Sequence, residues 1–220
     1  MSEFRHELKH ELGTAELLAL RQRLRAVLDP DKHSPDGRYS VRSLYFDDAR
    51  DTALREKHDG VGSRQKFRLR LYNGDPGFVK LEKKIKRNGL CCKLTEPMRA
   101  DTVRAVISGS SWTPEGPLSQ ELKACMASGL LPKTIVDYTR EAYTFPAGNV
   151  RVTLDYDIRS GLDCTALFDA GCTTVPVPGY PAILEVKWDE FLPDIVRDAV
   201  ALRGIRTGAF SKYAACRAYG

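Results

Sequence analysis

The sequence predicts an α+β fold: an antiparallel sheet of about eight strands that closes into a barrel, with helices around it. Three observations lead there. Segments with strand-like alternation recur along the chain, mostly in hairpin order. Two strong turn signals, Asn73-Gly74-Asp75-Pro76-Gly77 and Asn88-Gly89, join neighbouring segments. Lysines and arginines also recur on one face of strand after strand, which the solvated face of an open sheet does not explain.

The 220 residues suffice for a substantial core and are read as one domain, 1–220. A hydrophobic content of 42% with 29% charged residues is that of a globular chain rather than a disordered one. The net charge of +5, with a pI near 8.9, is mildly basic and points to an anionic partner only where the charge is clustered. No apolar run is long enough for a transmembrane helix, and the start MSEFRHELKHEL has no signal-like apolar core, so a cytoplasmic location is expected. The cysteines at 91, 92, 125, 164, 172 and 216 form no CxxC and no paired framework, and read as reduced, packed thiols. His6 and His10 lie in a strand without further ligands at zinc spacing, which argues against a zinc site.

The first strand is Glu3–Leu12. Thr14 is a plausible N-cap for the helix that follows, with Leu17, Leu20, Leu24, Val27 and Leu28 as its apolar stripe and Asp29-Pro30 as its stop. Further strands are expected over Tyr39–Asp48, Arg64–Tyr72, Phe78–Arg87 and Leu90–Glu96. Two short helices follow, Asp101–Ser108 and Leu118–Ser128. Strands then start at Lys133 and Asn149, and the last spans Ala182–Glu190. A final helix starts at Pro193, a favourable N1 residue, and runs to Gly204. The interval from Gly161 to Pro181 reads as a loop or a weak strand.

Lys66, Arg68 and Arg70, with Arg64 in line, share one strand face, while Phe67, Leu69 and Leu71 share the other. Side chains two apart on a strand sit roughly 6–7 Å from each other. At an effective dielectric near 20, two such cations repel by roughly 2–3 kcal/mol before screening. The same alternation places Arg5, Glu7 and Lys9 together, then Lys80, Glu82, Lys84 and Lys86, then Glu185 and Lys187, and sets Arg151 opposite Val150, Val152 and Leu154. Around Arg140, Asp137 and Tyr138 blur it. On one strand a solvated face explains this; across six, a barrel with inward cations explains it better. Such a lumen is tenable only around a multivalent anion, and eight strands leave room for a slender one. Glu7, Glu82 and Glu185 are hard oxygen donors among the cations, suited to a divalent metal beside phosphate.

RHELKHEL, VRSLYFDD, KFRLRLY, VKLEKKIKRNG, VDYTREAY, VRVTLDYDIR, ILEVKWDE and AFSKYAAC occur in that order. Together, over about residues 3 to 217, they resemble the vacuolar transporter chaperone (VTC) polyphosphate polymerase domain of the triphosphate tunnel metalloenzymes, or CYTH superfamily. The resemblance implies an eight-stranded tunnel that binds ATP, triphosphate, polyphosphate or pyrophosphate with Mn²⁺ or Mg²⁺. It implies phosphate-binding roles for Lys9, for Arg68 and Arg70, for Lys84 (or Lys83 if the register slips), and for Arg140, Arg151, Lys187, Ser211 and Lys212. Lys93 is a further candidate, and Arg206 stands near a family lysine but at a different spacing. Arg64, Lys66 and Lys80 share the cationic faces and are expected to contact substrate. Glu185 is the expected metal ligand, with Glu7 and Glu82 beside it.

The implied activity is transfer of the ATP γ-phosphoryl group to a growing polyphosphate chain, with product leaving by the far tunnel mouth. The first rival is a triphosphatase of the same superfamily. Its first strand usually carries ExExK, whereas this chain has Arg5-x-Glu7-x-Lys9, which favours the polymerase. The second rival is a non-catalytic module that binds polyphosphate or inositol phosphates, from which Glu185 distinguishes an enzyme. A nucleic-acid binder would interleave exposed aromatics with the cations, but Phe67 lies on the apolar face. A membrane partner is left open.

Overall fold

A computed structural model describes residues 4–32, 34, 36–179, 182–202, 208 and 210–218. The strands are β1 (His6–Leu12), β2 (Asp29–Pro30), β3 (Tyr39–Asp47), β4 (Ser63–Tyr72), β5 (Val79–Arg87), β6 (Leu90–Met98), β7 (Leu131–Phe145), β8 (Val150–Ser160), β9 (Val175–Pro176) and β10 (Ala182–Trp188). The helices are α1 (Thr14–Val27), α2 (Thr52–His58), α3 (Ala100–Ser108), α4 (Pro117–Ala127), α5 (Asp194–Val200) and α6 (Lys212–Arg217), with one 3₁₀ turn at Ala147–Asn149.

The sheet runs β1-β10-β8-β7-β3-β4-β5-β6, with the two-residue β2 and β9 attached to β7 and β8. All paired strands are antiparallel. The outer strands of this path approach at one residue pair, where the Arg5 and Cys91 backbones exchange hydrogen bonds of 2.9 and 3.1 Å. The expected barrel is present as a barrel-like tunnel whose seam, among the described residues, is joined by that isolated bridge rather than by a continuous ladder.

The outward face of this sheet is apolar and supports the helices. Leu17, Leu20 and Leu24 of α1, with Val196 and Val200 of α5, cover Val152, Leu154, Leu184 and Val186. Val103 and Val106 of α3, with Leu118 and Leu122 of α4, cover Phe67, Leu69, Leu71 and Leu81. Each fully buried leucine contributes roughly 1.5–3 kcal/mol. The hairpin at Asn88-Gly89 has both residues at positive φ, 47° and 86°, the geometry of a type I′ turn that suits the strand twist.

Several element boundaries differ from expectation. Gly13, not Thr14, occupies the N-cap of α1, and no side chain caps it. Pro193 is the N-cap of α5 rather than its first residue, and the helix ends at Val200, because Ala201 is extended at φ −62° and ψ 127°. Gly204 lies outside the described residues. Two helices were not anticipated, α2 and α6; at seven and six residues they are too short to show a period.

One irregularity positions the site. Tyr138 of β7 faces two residues of β8, Asp157 and Ile158, because the pairing shifts between Asp137–Arg159 and Thr139–Tyr156. Asp157 takes a left-handed conformation at φ 51°, as in a β-bulge. Beyond it the alternation of β8 flips, so Ile158 and Ser160 join the lumen face. There they meet α6: Ile158, Val136 and Ile183 share one apolar cluster with Phe210, Tyr213 and Cys216, and Ser160 Oγ donates to the Cys216 carbonyl at 3.1 Å. Helix α6 thus occupies lumen-facing space where β8 ends. No described helix is long and apolar enough to cross a membrane.

Leu81 is fully buried between β5 and the helices. Leu81→Ala is expected to lower unfolding free energy by about 2–5 kcal/mol in urea denaturation.

Candidate active site: a cationic lumen

The inward faces of the strands enclose a cavity of about 470 Å³. Its charges are organised by buried carboxylates. Glu82, fully buried on β5, lies 2.6 Å from Arg68, 3.4 Å from Arg70 and 3.0 Å from Lys93. Burial opposes its ionisation, but these three cations outweigh burial and hold the carboxyl well below its ordinary range. Asp155 on β8, also fully buried, receives Arg140 through two hydrogen bonds of 2.6 and 2.7 Å and lies 2.5 Å from Lys212 Nζ. Burial resists, yet Arg140 and Lys212 bring its pKa down to about 2.

Glu7 and Glu185 form the third centre. Lys9 Nζ lies 3.0 Å from Glu185 and 3.5 Å from Glu7. Lys187 Nζ lies 2.6 Å from Glu185 and 3.7 Å from Glu7, and Lys84 Nζ is 2.8 Å from Glu7. Two carboxylates therefore flank the same two ammonium groups. Burial and the neighbouring Glu185 both raise the Glu7 pKa, but Lys9, Lys84 and Lys187 prevail and bring it to about 2.

Tyrosines hold the arginines from behind. Arg68 donates to the Tyr45 hydroxyl at 2.8 Å; Arg70 donates to Tyr138 at 3.0 Å and to Ser43 at 3.1 Å. Lys66 differs from its neighbours. Its ammonium donates to Ser211 Oγ at 3.2 Å and lies 5.5 and 5.7 Å from the rings of Tyr45 and Tyr213, with no carboxylate within ion-pair distance among the described residues. Burial, with Lys84, Lys9 and Arg68 nearby, pushes it down to about 7 against the opposing pull of Tyr45. Burial raises the Tyr45 phenol, but Arg68, Lys66 and Arg70 outweigh that and lower it to about 7.

Of the sequence-predicted residues, Lys9, Lys66, Arg68, Arg70, Lys84, Arg140, Arg151, Lys187, Ser211 and Lys212 line this one cavity, with Glu7 and Glu185 among them. Lys93 and Arg64 line it too. Lys84, and not Lys83, faces inward: Lys83 ion-pairs with Glu121 on the outer side and sits over Phe67. Arg151 reaches Asp31 at 2.6 Å and donates to the Tyr39 hydroxyl at 3.1 Å. Lys80 lies over the rings of Tyr72 and Phe78. Arg206 lies outside the described residues.

Glu82 is taken up by Arg68, Arg70 and Lys93, whereas Glu7 and Glu185 share Lys9 and Lys187. No group of three His, Cys, Asp or Glu that could hold a metal occurs among the described residues. The donor set still fits a divalent ion that takes two protein carboxylates, Glu7 and Glu185, and completes its hard-oxygen shell from phosphate and water. Sequence reasoning missed Asp155, Tyr45 and Tyr138. Each shares the parity of an identified cation or neighbours one across the sheet, and that signal was available: Asp155 follows Arg151 by four on β8, and Tyr138 precedes Arg140 by two.

Fold and lumen together define a protein of the triphosphate tunnel fold. The chain belongs to the VTC domain family, whose model matches residues 4–219. No curated protein matches it. Among solved structures it is similar to a putative adenylyl cyclase from Hippeastrum, described as revealing a dominant triphosphatase activity, at 14% identity and a TM-score of 0.58, covering 98% of this chain and 96% of that one. A putative adenylate cyclase from Bacillus halodurans is similar at 12% identity and a TM-score of 0.54, covering 84% and 81%.

Replacing the charge of Glu82 leaves Arg68 and Arg70 buried without their counter-ion. Glu82→Gln is expected to cost about 3 kcal/mol of stability, read as a lower midpoint in chemical denaturation. A midpoint unchanged from the parent would show that solvent already compensates these arginines.

Proposed function

We propose that this protein is a polyphosphate polymerase that transfers the γ-phosphoryl group of ATP to a growing polyphosphate chain inside the lumen. The observation that carries the reading is the buried cation excess, and within it Lys66, which faces the cavity without a carboxylate partner among the described residues. A polyanion supplies the missing counter-charge.

Arg68 and Arg70 would clamp phosphate oxygens, already oriented by Tyr45, Ser43 and Tyr138. Arg140 and Lys212, fixed by Asp155, would hold neighbouring phosphates in line. A terminal oxygen of the chain attacks the γ-phosphorus, the bond from that phosphorus to the β-bridging oxygen breaks, and ADP leaves with the electron pair. Positioning and charge neutralisation supply most of the acceleration. A divalent cation at Glu7 and Glu185 would add neutralisation of the phosphate oxygens. Arg5 stands where hydrolases of the fold usually carry an acid, and it is ion-paired with Asp189 at 2.5 Å. Among the described residues of the first strand, Glu7 is the carboxylate that lines the cavity, which supports polymerase over hydrolase.

A second reading, metal-dependent hydrolysis of a triphosphate, is favoured by α6. This helix and its apolar cluster take up lumen space on the side where a long product would otherwise leave.

³¹P NMR with ATP and Mn²⁺ separates the two. A growing mid-chain signal with ADP is expected; orthophosphate without it would establish the hydrolase. Arg68→Ala and Glu185→Ala should each lower turnover by about 10²–10³-fold. A pH dependence follows from Lys66. Unliganded, it loses its proton near pH 7, and a polyanion draws that proton back, so binding takes up protons. Tyr45 ionises over the same range and repels the ligand. Tripolyphosphate affinity should therefore fall as pH rises from about 7 to about 9. The fall should be shallower in Lys66→Met, by calorimetry in buffers of different ionisation enthalpy.

A further inference from the structure

Three aromatic rings form a row through Tyr72, which lines the lumen. Tyr39 on β3 and Tyr72 at the end of β4 have ring centroids 5.8 Å apart, tilted by 59°. Tyr72 and Phe78, at the foot of β5, are 6.3 Å apart and tilted by 44°. The register explains the row. Val41 pairs with Tyr72 and Arg70 with Lys80, so one step further along the hairpin Tyr72 faces Phe78 on the lumen side. The innermost ring is tied to the phosphate machinery, since the Tyr39 hydroxyl accepts from Arg151. The outermost is open: Phe78 is 49% exposed. Lys80 Nζ lies 4.6 Å from the Phe78 centroid and 5.5 Å from that of Tyr72, and Arg70 stacks over Tyr72 at 5.9 Å.

A lone exposed phenylalanine needs no explanation. A graded series does: it begins beside the lumen arginines Arg70 and Arg151 and ends on an open ring beside a lysine. Inorganic triphosphate has no use for an aromatic row. A nucleotide does, because with its terminal phosphate deep among Arg68 and Arg70 its other end must emerge at the rim as a planar base. Stacking on an aromatic ring accepts any base, and an adjoining cation adds to it.

We infer that Phe78 and Tyr72, with Lys80, form a stacking platform for the base of a nucleoside triphosphate, so that this lumen distinguishes nucleotides from inorganic triphosphate at its rim. The inference rests on the reading of the lumen as a triphosphate site and specifies which end of the substrate each part holds.

The test compares ATP with inorganic tripolyphosphate by calorimetry in Mg²⁺ buffer. Phe78 is exposed, so Phe78→Ala should fold as the parent does. The expected result is a loss of roughly five-fold or more in ATP affinity relative to tripolyphosphate, with recovery in Phe78→Trp. An equal loss for both ligands, or none for ATP, overturns the platform while leaving the triphosphate site standing. Failure of the parent protein to bind either ligand overturns the triphosphate reading and the platform with it.

Discussion

The structure depends on how a closed sheet tolerates buried positive charge. Lysines and arginines from β1, β4, β5, β7, β8, β10 and α6 converge on one lumen. Unbalanced, neighbouring pairs would repel by a few kcal/mol each at an effective dielectric near 20. Glu82, Asp155 and the pair Glu7–Glu185 divide them into small groups, each partly neutralised. These carboxylates also fix where their guanidinium and ammonium partners sit. The same ion pairs that let the barrel fold therefore arrange its cations for a ligand, at little ordering cost when one arrives.

The rest of the architecture answers to that constraint. A sheet with its charges inside must place its apolar side outside, and exposed strands of Val152, Leu154, Leu69 and Leu81 would be insoluble. Helices α1 and α5 cover one half, α3 and α4 the other. Ion pairs in the lumen and leucines beneath the helices stabilise different parts of each strand, on alternate residues. A substitution on either face is felt by the other through the backbone they share.

Much of this was legible in the sequence because a strand alternates with period two. The runs KFRLRLY and LEKKIKR declare their faces directly, and the two turns fix how these strands pair. What escaped has physical reasons. Asp155 and Tyr138 keep the parity of Arg151 and Arg140, but an acid or an aromatic on a cationic face does not by itself mark a partner. Asp155 also looks like any surface carboxylate until Lys212, 57 positions later, folds back to it. Tyr45 reads as a core aromatic, and only the arrival of Arg68 at its hydroxyl makes it part of the site. Glu82 shares the parity of Lys84 and so reads as one of a set with Glu7, but its three cations are supplied by strands that a reading of β5 alone does not see. Helices α2 and α6 carry too few residues to announce a period.

The bulge at Asp157 has a consequence for how the chain tolerates change in length. One strand is read in two frames: Arg151, Thr153 and Asp155 face the lumen before it, Ile158 and Ser160 after it. Deleting Asp157 would only merge the frames: Tyr156, Ile158 and Arg159 would then face Thr139, Tyr138 and Asp137 in unbroken register, and Ile158 and Ser160 would stay on the lumen face beneath α6. Substitutions along β8 act one side chain at a time, whereas a one-residue deletion between Arg151 and Asp155, where there is no extra residue to give up, turns over the residues on one side of it together. Chain length is thus constrained unevenly along β8, loosely at Asp157 and tightly among the lumen residues before it.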